Sequence, residues 1–249
     1  MSADLIIPLG RESVDGKNDE LRLLLRSLER NATGIGSIWL VTDCPPNWLQ
    51  ERNWLTVLPC PDRFDSNKDA NLFEKTKLAM ERSEAEDVVF SADDCAVVNP
   101  VDFAALPLLY NTRELAYFRN PSKKHRKFRK WNRRMAATLS ELGLEGGNYD
   151  THCPQRWNRE AGLAAIAATP YERPEGRCIC TAILGRIHGA RIPEGAVAQN
   201  EVKETGEAKG DVVTFGKWFV AYNDAGFKGG LREELFRRFP EASRWEVRR

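Results

Sequence analysis

Apolar positions in this chain follow two habits: short unbroken runs, and longer stretches in which they return every three or four residues. "DLIIPLG" at 4–10 is of the first kind and predicts a short buried strand leading into a loop that holds Gly16. After it, Leu21, Leu24, Leu25 and Leu28 stand at i, i+3, i+4 and i+7, one apolar helical face, with Asn18 or Asp19 as its cap. "SIWLVTD" (37–43) and "WLTVLPC" (54–60) predict two further strands, the first stopped by Pro45-Pro46. Leu72, Phe73, Thr76, Ala79 and Met80 give a second amphipathic helix, and "DVVFSADD" a strand that ends on two aspartates.

Strand, helix, strand, strand, helix, strand is the rhythm of an open, mostly parallel α/β sheet, and ligands of such sheets bind outside the carboxyl ends of the strands. Three polar signals sit at those ends: the loop from Arg11 to Lys17, Thr42-Asp43, and Asp93-Asp94. Neither a G-x-G-x-x-G nor a G-x-x-x-x-G-K-[ST] motif is present, so the dinucleotide and P-loop readings lack their fingerprint. The second half is less regular. "ELAYFRN" (114–120) reads as a strand, and "WNRRMAATLSELGLEGG" as a helix with Met135, Leu139 and Leu142 inward. "WNREAGLAAIAAT" reads as another helix, 193–211 as an exposed polar loop, and 211–224 as a return to strand.

Composition narrows the class without naming it. Hydrophobic residues make up 42% and charged residues 29% of the 249, the balance of an ordinary globular protein. With 37 basic and 36 acidic residues there is no global charge to hold a polyanion, so any such contact must be local. No apolar run is long enough to span a membrane, and the opening "MSADLIIPLG" has no basic leader, which points to a cytoplasmic chain. The six cysteines (44, 60, 95, 153, 178, 180) form no C-x-x-C pair and read as free buried thiols.

The candidate chemistry begins at Asp93-Asp94. Two carboxylates at a strand end either make a capped turn or hold a divalent cation, Mg2+ or Mn2+, on a nucleotide diphosphate. In "NYDTHCPQRW", His152 follows Asp150 and precedes Cys153-Pro154; it is a metal ligand, a general base, or a loop histidine bonded to a neighbour. Asn223-Asp224 either orients a sugar hydroxyl or forms an Asx turn before Gly226. "KKHRKFRKWNRR" places Lys123, Lys124, Arg126, Lys127, Arg129, Lys130, Arg133 and Arg134 around Phe128 and Trp131. Cations interleaved with aromatics grip nucleic acid without reading sequence. The same spacing also suits an amphipathic helix with its aromatics inward, a solvated face, or a clamp for donor phosphates.

In order, these motifs resemble the Stealth family of capsule sugar-phosphate transferases, relatives of the lysosomal-enzyme GlcNAc-phosphotransferase. "DGKNDELRLLLRSLERNATGIGSIWLVTDCPPNWL" is similar to that family's long block. Ser91, Asp93 and Asp94 match its N/S-D-D motif, His152 and Pro154 its H-x-P, and Phe219, Asn223 and Asp224 its F-x-x-x-N-D. Bacterial and phage glycosyltransferase-like proteins with "THxP" segments look similar too. The resemblance implies one GT-A-like domain over 1–249, with a nucleotide-sugar half (1–110) and an acceptor half (111–249) that carries the basic segment 122–134. It implies donor binding by Arg11, Asp15, Asn18, Arg22, Asp43, Lys75 and Asp93, metal at Asp93, Asp94 and His152, and catalysis at Asp94, His152, Asn223 and Asp224. The expected activity is glycosyl transfer from a nucleotide sugar, a UDP-sugar by preference, onto a hydroxymethylated pyrimidine of double-stranded DNA, in the host cytoplasm if phage-encoded. Alternatives are a Stealth-type transferase acting on a surface polysaccharide and a non-catalytic nucleic-acid-binding module. The basic-aromatic block and the loosely echoed opening segment depart from the Stealth pattern.

Overall fold

The computed structural model describes residues 2–10, 17–64, 67–111, 126–143, 148–189, 191–198, 201–204, 217–222, 224–227 and 230–247; of 126–130, 201–204 and 224–225 it describes the backbone alone. The expected strand at 114–120 lies outside these residues. In chain order the elements are β1 (Ala3–Pro8), α1 (Asp19–Asn31), β2 (Ala32–Thr33), β3 (Ile35–Val41), β4 (Leu55–Leu58), α2 (Lys68–Arg82) and β5 (Asp87–Phe90). Then come β6 (Cys95–Val97), β7 (Val101–Asp102), β8 (Leu109–Tyr110), α3 (Arg126–Leu142), β9 (Gln155–Asn158), α4 (Arg159–Ala167) and α5 (Ile179–His188). The chain closes with β10 (Val197–Ala198), β11 (Glu201–Glu204), β12 (Phe219–Tyr222), α6 (Asp224–Phe227) and α7 (Gly230–Arg238).

The central sheet has the order β4-β3-β1-β5-β9; the first four strands are parallel and β9 runs against β5. Because successive side chains of a strand point to opposite faces, β1 serves two cores. Leu5, Ile7 and Leu9 pack with Leu21, Leu24, Leu25 and Leu28 of α1. Ile6 packs on the other face with Phe73 and Met80 of α2 and Ile183 of α5. Burying each such leucine is worth about 1.5–3 kcal/mol, against a few tenths for intrinsic helix preference, so packing fixes α1. The molecule is therefore α/β, a mostly parallel sheet with helices on both faces. No helix among the described residues is long and apolar enough to cross a membrane.

A second sheet, β11-β12-β6, lies behind α1. Ser27 Oγ accepts from the Val97 amide at 2.9 Å and Asn31 donates to the Val97 carbonyl at 2.6 Å, which docks α1 on β6. Two differences from the expected elements have local causes. The helix expected from Trp157 begins at Arg159, because Trp157 and Asn158 pair with β5 and the Asn158 side chain then caps the helix through the Ala161 amide. The polar loop expected at 193–211 contains β10, paired with β8, and β11, paired with β12.

Candidate functional site

From β1 the chain winds outward through β3 and β4, then returns to lay β5 on the other side of β1. The carboxyl ends of β1 and β5 thus flank the point where strand order reverses, where open α/β sheets bind ligands. Sheet pairing runs one residue beyond β5, the Ser91 amide donating to the Ile6 carbonyl at 2.9 Å. The chain then turns at Asp93 and Asp94, both half-buried, and crosses into β6.

Three distant segments lie at the same end of the sheet as that turn. β12 pairs antiparallel with β6, and the Tyr222 amide donates to the Asp94 carbonyl at 3.0 Å, so the end of β12 lies beside the turn of the two aspartates. Asn223 lies outside the described residues, and Asp224 opens α6. β9 begins at Gln155, which pairs with Phe90, the last residue of β5. This puts His152, exposed, at the same end of the sheet. Its neighbour Cys153 is buried in the core with Val89, Cys95 and Phe219. Gln155, fully buried, donates to Thr151 Oγ1 at 2.6 Å and the Leu109 carbonyl at 2.9 Å, fixing the loop that carries His152.

The third segment is the start of α1. Asn18 caps it in the left-handed conformation (φ 52°, ψ 42°) and gives the helix no side-chain cap bond. Trp48 donates from Nε1 to the Lys17 carbonyl at 2.7 Å, and the Arg22 guanidinium lies over the Trp48 ring at 4.6 Å. Arg22 also pairs with Asp19 (3.3 Å) and Glu246 (3.2 Å), while Arg232 holds the other side of Asp19. Arg22, expected at the donor, therefore joins the start of α1 to the C-terminal segment. Arg11 and Asp15 lie outside the described residues.

Lys75 is 1% exposed. Its ammonium donates to the Leu9 carbonyl at 2.7 Å and pairs with Asp62 at 2.7 Å, joining the loops after β1 and β4. It braces the loops that leave these two strand ends. Asp43, half-buried, follows β3, whose end is held by the Thr42 amide on the Leu58 carbonyl at 3.0 Å.

The basic segment divides. Lys123 and Lys124 lie outside the described residues, and Arg126, Lys127, Phe128, Arg129 and Lys130 form the first turns of α3. Trp131 packs inward with Met135, Leu139, Leu142 and Cys178, one stripe of the helix. Arg134 pairs with Asp69 at the start of α2. Burial pushes its guanidinium down, but the charge and hydrogen bond of Asp69, with Cys178 and Asp150, outweigh this and raise it. Arg133 is exposed. Trp131 and Arg134 thus serve packing and pairing.

Two residues with no motif of their own complete the region. Tyr222 is fully buried, stacked on Phe227 with ring centroids 4.9 Å apart, and its hydroxyl has no hydrogen-bond partner among the described residues. Burial holds its ionisation well above the ordinary phenol range, reinforced by Glu20, Cys95, Asp94 and Asp93. Glu20 comes from the first turn of α1. Both residues could have been suspected only from their positions, one before Asn223-Asp224 and one after Asp19.

None of the six cysteines forms a disulfide; Cys95, Cys153, Cys178 and Cys180 are buried, Cys60 is half-buried and Cys44 is exposed, contrary to uniform burial. Among the described residues no group of three or more His, Cys, Asp or Glu side chains is placed to hold a metal ion. Asp93, Asp94 and His152 share the end of the sheet without forming such a cage. No protein-family model and no curated protein matches the chain.

Proposed function

We propose that this protein is a metal-dependent glycosyltransferase of GT-A-like, Stealth-related type, moving a sugar from a nucleoside-diphosphate donor to an acceptor hydroxyl. The observation that carries the reading is the pairing that sets Asp93 and Asp94, at the switch-point end of β5, against Tyr222 and the segment after it. Two half-exposed carboxylates on one turn suit an ion that keeps water and substrate phosphate in most of its shell. Asp93 and Asp94 would hold Mg2+ or Mn2+, which would neutralise the leaving diphosphate.

The chain's own residues do the rest. The amides at the start of α1 favour the donor's phosphates, since that end of a helix carries partial positive charge. The imidazole of His152, exposed at the same end, takes the proton of the acceptor hydroxyl as its oxygen bonds to the sugar C1 and the C1–phosphate oxygen bond breaks. Asp43 and the Asn18 side of α1 line the donor's approach, and Asn223-Asp224 orients the sugar. Lys75 and Arg22 act by holding these loops in place.

For the acceptor, α3 borders the same end of the sheet and carries the cations of 126–133, which favours a polyanion, by preference hydroxymethylated DNA. A second reading, a glycan acceptor of the Stealth kind, is favoured by the inward placement of Trp131 and the pairing of Arg134, which remove a stacking ring and a phosphate contact. The test is incubation of 5-hydroxymethylcytosine DNA with the protein, Mn2+ and a pool of UDP-, GDP- and CDP-sugars, followed by mass spectrometry of the digested nucleosides. A hexose- or pentose-sized gain supports transfer to DNA. Release of a free nucleoside diphosphate without that gain moves the acceptor to a glycan. Neither product nor release contradicts the enzyme and favours a binding module.

A further inference from the structure

The C-terminal segment lies against the loop after β3 by backbone pairing. Leu49 and Glu246 form an antiparallel bridge, the Gln50 amide donates to the Trp245 carbonyl at 2.9 Å, and the Val247 amide donates to the Trp48 carbonyl at 2.8 Å. The Glu246 carboxylate meanwhile takes Arg26 at 2.7 Å and Arg22 at 3.2 Å, both from α1. Trp48 stands where these contacts converge. Its ring is buried in the core with Leu21 and Leu24, the Arg22 guanidinium covers it at 4.6 Å, and its indole N–H donates to the Lys17 carbonyl at 2.7 Å. Phenylalanine would supply the same packing; what the indole adds is a bond to the backbone just ahead of the helix. The next residue, Asn18, holds a left-handed conformation (φ 52°) that non-glycine residues seldom adopt, and its side chain gives the helix no cap bond. Such a conformation persists where its surroundings impose it, and residues held this way gather at binding sites.

We propose that Trp48 is a positioning residue of this site: braced by the C-terminal segment and by Arg22, its indole N–H fixes the Lys17-Asn18 entry of α1 that lines the donor's approach. This rests on the transferase reading. Trp48 is held at its backbone by Val247 and at its ring by Arg22, whose guanidinium is itself fixed between Asp19 and Glu246. An indole anchored on two sides holds the entry in one conformation before the donor arrives, so binding need not order it. The C-terminal segment thereby acts on donor binding without touching the donor.

The test is Trp48→Phe in the full chain, which keeps a ring under Arg22 and removes only the bond to Lys17. It is read by thermal unfolding and by the kinetics of UDP release from a UDP-sugar with Mn2+. The expected result is a KM for the UDP-sugar raised about fivefold, the worth of one ordinary hydrogen bond, with kcat within about twofold of wild type. An unchanged KM, whether or not the unfolding temperature falls, marks the indole bond as purely structural and overturns the role of Trp48 while leaving the transferase reading standing. A lowered kcat at unchanged KM overturns it equally. Arg22→Lys, which keeps the charge and loses the flat guanidinium over the ring, is the second variant, and it decides by the same criterion where Trp48→Phe does not fold. Absence of UDP release by wild type overturns the transferase reading and the role together.

Discussion

The Tyr222 amide and the Asp94 carbonyl are joined by a 3.0 Å hydrogen bond, so the end of β12 and the turn after β5 are one piece of structure. Residues far apart in the chain become neighbours there for a backbone reason: β6 and β12 pair antiparallel, and each strand's edge groups need partners.

Lys75 provides the clearest stability prediction. Replacing it with Met leaves Asp62 without its cation and the Leu9 carbonyl without a donor. The expected loss is about 1–3 kcal/mol, measured by urea unfolding, since the buried Leu9 carbonyl loses its donor while the partly exposed Asp62 can still reach water. A loss under about 0.5 kcal/mol would contradict the role of Lys75 as a brace.

Glu246 sets an acid limit on the contact between α1 and the C-terminal segment. Burial pushes its carboxyl up, but hydrogen bonds from Arg26 (2.7 and 2.8 Å) and the Ser243 amide (2.9 Å), and the charges of Arg26 and Arg22, leave it below the ordinary range. A carboxyl lowered on folding contributes stability above its unfolded value, near about 4.3, and loses it as pH falls through the folded value. Glu246→Gln is expected to be less stable at pH 7 and to show a flatter acid limb. Parallel acid limbs in the two proteins would count against it.

The thiols separate by burial. Native protein is expected to react with a thiol reagent first at Cys44, then slowly at Cys60, whose thiol burial pushes up. Cys178 and Cys180, held high by burial and by Asp150, react only on unfolding. Mass mapping of the modified peptides checks the order, and early labelling of Cys178 would contradict it.

Adjacent arginines of α3 are expected to behave oppositely. Arg134→Ala breaks the pair with Asp69 and lowers stability by about 1–2 kcal/mol. Arg133→Ala leaves stability unchanged and, if α3 holds a polyanion, lowers duplex affinity and its salt slope by about one phosphate contact. Equal salt slopes in wild type and Arg133→Ala would remove this face from the acceptor site.

Much of this architecture is legible in the chain. The unbroken runs find β1 and β5 because a strand covered on both faces is apolar throughout, the runs of β3 and β4 are found though those strands are only partly buried, and the leucines of α1 declare their face by period. Met135, Leu139 and Leu142 point inward as their spacing predicts. The second sheet is harder to read, since β6 has three residues and takes its identity from β12, a pairing that no local pattern records. For the same reason the ion pairs of Arg22 and Lys75 are not legible in the chain: Glu246 and Asp62, which engage them, are brought near only by the fold. Tyr222 looks like an ordinary strand residue until its amide is found on the Asp94 carbonyl.

The most direct test of the central claim is release of UDP from a UDP-sugar pool in the presence of Mn2+, compared between wild type and the Asp93→Asn/Asp94→Asn double variant. Wild type is expected to release nucleotide only with the metal present, and the double variant to fall by at least about 100-fold with an unchanged unfolding temperature. Metal-dependent release that persists in the double variant would contradict the assignment of Asp93 and Asp94.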